Sequence, residues 1–164
     1  MKAHWSPIAA LAVLILAGCG QNASTASSGP TPPAPPPGPR VIELTAGDNM
    51  QYSVKTMEAK PGEDIKVLMH NIGAAPKEVM AHNWVLLKAG VDVAGFDSAA
   101  LTAKDTGYIP ARLQDEIVAH IDLLGPQESG SVEFNAPTTP GDYTYLCTFP
   151  AHYQIGMHGT LTVK

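Results

Sequence analysis

The chain has 164 residues, a length that accommodates one domain with appendages. Its formal net charge of −5 excludes the basic balance of a nucleic-acid binder. Apolar residues make up 45% of the chain, enough for one core, but aromatics only 6%, so Trp84, Phe134 and Phe149 are expected to supply much of its bulk.

Residues 1–18 hold Lys2, then an apolar run from Ile8 to Leu16, then small residues. That run is too short to cross a bilayer and reads as a secretory signal. It ends in Leu16-Ala17-Gly18-Cys19, which resembles the bacterial lipobox, where cleavage leaves an N-terminal cysteine that carries lipid. Residues 19–40 cannot build a core. Gln21 to Gly29 is small and polar, and Pro30 to Pro39 is proline-rich, hence expected to be a stiff polyproline II spacer of about 3.1 Å per residue. A lipidated Cys19 followed by such a spacer implies a domain tethered to a bacterial membrane on its extracytoplasmic side, periplasmic or cell-surface. Cys19 and Cys147 are not expected to pair, because one closes an export segment and the other lies in a ligand-rich loop.

From Val41 to Lys164 the pattern is that of a β domain. Strands are expected at Val41–Thr45, Tyr52–Ala59, Ile65–His70, His82–Leu87, Glu116–Ile121, Ser131–Phe134, Tyr143–Leu146 and Leu161–Val163. Lys60-Pro61-Gly62-Glu63, Gly125-Pro126 and Thr139-Pro140-Gly141-Asp142 are turn signals between them. Phe96 to Lys104 suits a short helix capped by Asp97 or Ser98. About eight short strands with frequent turns argue an all-β fold, a Greek-key sandwich with one short helical flap.

Between the last two strands runs Cys147-Thr-Phe-Pro-Ala-His152-Tyr-Gln-Ile-Gly-Met157-His158. One loop thus supplies a thiolate, an imidazole and a thioether. Soft sulfur donors with imidazole favour copper, and two histidines and a cysteine with a weak axial methionine form the blue-copper electron-transfer set. The second histidine is expected to be His82, which opens a strand after a loop containing Pro76 and Lys77. His70 is its main rival. His120 reads as a surface or hydrogen-bonded residue, and His158 leaves the opposite face from Met157 if the backbone is extended there.

The Val79-Met-Ala-His-Asn-Trp-Val-Leu86 stretch, Cys147-Thr-Phe-Pro-Ala-His152 and Gly159-Thr-Leu-Thr-Val163 together resemble the azurin and auracyanin-type blue copper proteins, the cupredoxins. The likeness covers the whole of 41–164. The four residues between His152 and Met157 are auracyanin-like, one more than in azurin. The alanine at 81 stands where azurin has glycine, and the N-terminal disulfide of azurin has no counterpart. The resemblance implies one type 1 copper ion, Cu(I)/Cu(II), held by His82, Cys147 and His152. Met157 is then a weak axial ligand, with the Ala81 carbonyl on the opposite side. It further implies that the N–H groups of Asn83 and Phe149 donate to the Cys147 sulfur, and that the Asn83 side chain ties the ligand loops together. Ala74, Ala75, Met80, Pro150 and Ala151 resemble azurin's apolar docking face.

Such a site has no open position for a substrate, so an enzyme is not expected. The function read from the sequence is one-electron transfer by a monomer between extracytoplasmic redox partners, such as c-type cytochromes or membrane oxidoreductase complexes. The alternatives are a membrane-anchored copper-storage or copper-delivery protein and a structural zinc site.

Overall fold

The structure, a computed structural model, describes residues 38–164. The expected signal, Cys19 and nearly all of the spacer lie outside the described residues. Eight strands form two sheets: β1 (Arg40–Ala46), β2 (Thr56–Ala59), β3 (Asp64–Asn71), β4 (His82–Leu87), β5 (Ile117–Leu124), β6 (Ser129–Asn135), β7 (Gly141–Leu146) and β8 (His158–Val163). One sheet has the order β1-β3-β6 and the other β2-β8-β7-β4-β5. The β1–β3 and β2–β8 pairs are parallel and the rest antiparallel. This is the Greek-key sandwich. Among the described residues no helix is long and apolar enough to cross a membrane.

The alternation of β3, with Ile65, Val67, Met69 and Asn71 inward, is that of a strand buried on one face. β4 differs, because all six of its residues are buried. Trp84 and Leu86 face the core between the sheets, while Val85 and Leu87 face a second cluster with Phe96, Ile109 and Leu146. A strand covered on both sides reads as an unbroken apolar run. Trp84 is fully buried at the centre, with ring centroids of Tyr145 at 5.5 Å and Phe134 at 6.1 Å. Truncating so large a buried ring costs roughly 3–5 kcal/mol. Gly159 of β8 lies beneath Tyr145, where a Cβ would run into the tyrosine ring and the Lys55 carbonyl. Only glycine fits there.

Two expected elements are displaced. The second strand was expected from Tyr52, but regular pairing begins at Thr56. Tyr52 makes a single bridge to Ala46, because the chain is crossing there from one sheet to the other. The helix, α1, spans Val93–Ala100 and is capped by Asp92, whose side chain accepts from the Gly95 N–H at 3.1 Å. Asp97 is therefore not a cap but lies mid-helix, 1% exposed. Two 3-10 turns, Lys104–Thr106 and Ala111–Glu116, return the chain to β5.

Candidate metal centre

β4 and β7 are antiparallel neighbours, with Val85 opposite Leu146. His82 opens β4 and Cys147 directly follows β7, so strand pairing brings both to one end of the sandwich. Opposite Asn83, β5 carries an extra residue, since His82 pairs with Leu124 and Trp84 with Ile121. Such a bulge re-aims nearby side chains, and here His82 and Asn83 are both fully buried.

The loop from Cys147 to Met157 folds on itself. The His152 N–H donates to the Phe149 carbonyl at 3.1 Å, Met157 N–H to the His152 carbonyl at 2.9 Å and Cys147 N–H to the Met157 carbonyl at 3.1 Å. Ala151 adopts a left-handed φ of 72° to make the turn, a conformation costly for a residue with a Cβ. The donor atoms of His82, Cys147 and His152 lie within 4.8 Å of one another. Nδ1 of His152 faces the Cys147 Sγ at 3.4 Å, and the two imidazole centroids are 4.9 Å apart. Phe149 packs against His152 at 4.8 Å.

Among the described residues neither ring nitrogen of His82 has a hydrogen-bond partner, although both are buried. The Gly47 carbonyl lies near the ring without meeting hydrogen-bond geometry. Orphaned buried polar atoms are rare and costly, and a metal ion satisfies one of these. Burial lowers the His82 pKa. Burial, and then the neighbouring His82, push His152 down to about 4. Both imidazoles are thus neutral at pH 7, with lone pairs free. Burial pushes the Cys147 thiol up to about 12, while N–H bonds from Asn83 and Phe149 act in the other direction. A cation must displace that proton, and the two N–H groups then stabilise the thiolate. The donors present fit a soft metal with nitrogen and sulfur ligands.

Residues 40–164 match the family of copper binding proteins, plastocyanin/azurin family. The chain belongs to that family. It is 36% identical over 129 residues to auracyanin-B of Chloroflexus aurantiacus, covering 76% of this chain and 52% of that protein, so it spans about half the relative's length. It is 30% identical to outer membrane protein H.8 of Neisseria meningitidis, covering 99% of both chains. Among solved structures, the dithionite-reduced auracyanin of Roseiflexus castenholzii superposes with a TM-score of 0.68 at 37% identity, covering 78% of this chain and 99% of that one. The chain is therefore a cupredoxin, and its buried His82, Cys147 and His152 cluster is consistent with one type 1 copper ion.

Met157 is fully buried in the same core cluster as Cys147 and Phe149, and Ala81 is buried beside His82. His70 is apart from the site, its Nδ1 2.7 Å from the Ser129 hydroxyl. His120 pairs with Asp122 at 3.4 Å, and His158 is exposed, its ring packed on Tyr153. Of the apolar surface residues, Ala74 and Ala151 are exposed and Ala75, Met80 and Pro150 half-buried. The N–H groups of Ala74 and Ala75 donate to the Asp48 carboxylate at 2.9 and 3.4 Å.

The Asn83 side chain joins the two ligand-bearing segments. Its Nδ2 donates to Thr148 Oγ1 at 2.7 Å, and its Oδ1 accepts from the Thr148 N–H at 2.8 Å. Sequence reasoning missed Thr148, whose place beside Cys147 was the available signal. It also missed Tyr52, whose hydroxyl donates to the Asn83 carbonyl at 2.5 Å, and the Gly47 carbonyl. Neither carries a local signal.

Proposed function

We propose that the protein is a one-electron carrier, lipid-tethered through Cys19 to the extracytoplasmic side of a bacterial membrane, working between redox proteins such as c-type cytochromes and membrane oxidoreductase complexes. The observation that carries the reading is the buried His82–Cys147–His152 triad, with its orphaned His82 ring, inside a cupredoxin sandwich. Bound copper supplies a one-electron couple between Cu(I) and Cu(II). Met157 is assigned as the weak axial ligand and the Ala81 carbonyl as the opposite contact. The sandwich holds the ligands from adjacent strand ends, and the Asn83–Thr148 bridge resists their separation. Such stiffness keeps one geometry for both charge states and leaves no open position for a substrate, which is why no catalysis is assigned.

Nδ1 of His152 faces the sulfur, so its other ring nitrogen is the one available to an exit path past Pro150 and Ala151 in the same loop. Together with Ala74, Ala75 and Met80 this gives a short apolar exit path suited to transient partners. The leader, the lipobox-like Cys19 and the likeness to outer membrane protein H.8 along nearly the whole chain support the tether. A copper-storage role would need ligands open to exchange, whereas the metal-binding side chains here are 0–2% exposed. Optical and EPR spectra of the copper-loaded, oxidised chain test the reading. An intense thiolate-to-copper band with narrow hyperfine splitting is expected, and a colourless, EPR-silent oxidised protein would refute it.

A further inference from the structure

Asp97 is a carboxyl that the carrier reading leaves without a role. It lies in the middle of α1 and is 1% exposed, in a position where neither capping nor solvent accounts for it. Its Oδ2 accepts a hydrogen bond from Nε2 of Gln154, which belongs to the ligand loop between His152 and Met157. Its Oδ1 is buried with no hydrogen-bond partner among the described residues. Among the described residues it makes no ion pair. The titratable group its charge acts on is the Cys147 thiol at the end of β7. A carboxylate so placed is expensive to keep charged, and it shares its low-dielectric surroundings with the metal-binding thiolate.

We propose that Asp97 is a redox-linked proton site of the copper centre, one that helps set its reduction potential through the charge it carries beside the ligand loop. Around mildly acidic pH, an external one-electron donor supplies the electron, solvent supplies a proton, and Asp97 passes from carboxylate to carboxylic acid as the site is reduced. Oxidation releases both. Burial pushes the carboxyl up to about 6, and the Asp97 charge contributes to the upward shift of the Cys147 thiol. The coupling therefore runs between the two groups, and it is reciprocal by linkage. A unit charge ~10 Å away at an effective dielectric of about 20 changes a one-electron equilibrium by roughly tenfold, or about 59 mV.

The assignment rests on the copper-carrier reading, and the test separates the two. Voltammetry of the copper-loaded full chain and of Asp97→Asn, from pH 4.5 to 8, should show the variant's potential above wild type at neutral pH. That gap should close as pH falls below the Asp97 transition, by up to about the tenfold change in equilibrium. His70, His120 and His158 are present in both proteins, so the difference isolates the Asp97 part. Failure to obtain a reversible couple in the wild type would refute the carrier reading. A reversible couple with no pH-dependent gap would overturn the Asp97 assignment alone. A second measurement on metal-free protein guards against a variant whose copper site is distorted. A folded pKa above the unfolded value means that a charged Asp97 costs stability as pH rises through about 4 to 6. Asp97→Asn should then unfold at higher urea than wild type at pH 7.5 and at the same urea near pH 4. Equal midpoints at pH 7.5 would also overturn the assignment.

Discussion

Replacing Asn83 with alanine should unfasten the metal centre without touching a ligand. Asn83 is fully buried, and its amide holds three segments together: β4, the start of the ligand loop and the turn after the first 3-10 helix. Nδ2 donates to Thr148 Oγ1 at 2.7 Å and to the Gly107 carbonyl at 3.3 Å, while Oδ1 accepts from the Thr148 N–H at 2.8 Å. In the variant the Thr148 N–H and the Gly107 carbonyl lose this partner. The Thr148 hydroxyl keeps its bond to the Tyr108 carbonyl at 2.7 Å. The orphaned, fully buried Thr148 N–H costs roughly 1–3 kcal/mol, the part-buried Gly107 carbonyl less, and the void adds to them, which places the loss at about 3–5 kcal/mol. That is a large part of a typical stability of roughly 5–15 kcal/mol. Urea unfolding of metal-free protein at pH 7, followed by circular dichroism, should show the midpoint falling by about 2 M with the slope unchanged. A midpoint within about 0.3 M of wild type would refute the reasoning, because it would mean that the bridge bears no load.

Met157→Leu should retain bound, coloured copper but raise the reduction potential, since it removes a weak donor that favours the oxidised ion; an unchanged potential in voltammetry would point to another axial partner. Cys19→Ser should release a folded, copper-binding domain into the soluble fraction, and retention with membranes would contradict the tether. Met80→Lys should leave spectrum and potential nearly unchanged while slowing electron self-exchange, measured by NMR line broadening; wild-type rates would exclude that face as the exit. The pH dependence of metal-free protein follows from His152, which stays neutral down to about pH 4 when folded, whereas an unfolded histidine protonates near 6.5. Between those values the unfolded chain binds more protons, so the stability due to His152 is fully present above about pH 6.5 and is lost as pH falls toward 4. His152→Gln should flatten that decline in urea midpoints, and an unaltered decline would contradict it.

The cluster of donors was legible because chemistry and position coincided: Cys147 and His152 share a loop whose donors have no common purpose in a plain turn. His82 required more, since only its place at the head of an apolar run separated it from His70. Strands such as β3 could be read from alternation, and β4 from length and β-forming residues. The start of α1 could not be read in the same way. Asp97-Ser98 before Ala-Ala-Leu looks like a cap, but burial of Phe96 beneath the flap draws the helix back to Asp92 and takes Asp97 inside. Contacts that join distant segments, such as Tyr52 to Asn83 and Gln154 to Asp97, arise only when the sheets close. No local pattern announces them.

The ligand loop also bears on how the protein is assembled. Cys147, His152 and Met157 are near neighbours in sequence, whereas His82 reaches them from far upstream, after β4 and β7 have paired. Closing so short a loop around a cation is entropically modest, so even the unfolded chain offers a soft metal three donors. Affinity for the unfolded chain subtracts from the stabilisation that a metal confers. The rise in melting temperature on loading should therefore fall short of what the folded site's affinity alone implies. Refolding with the ion already aboard begins from a turn between β7 and β8 that is closed in advance, leaving the long-range docking of β4 as the slower event.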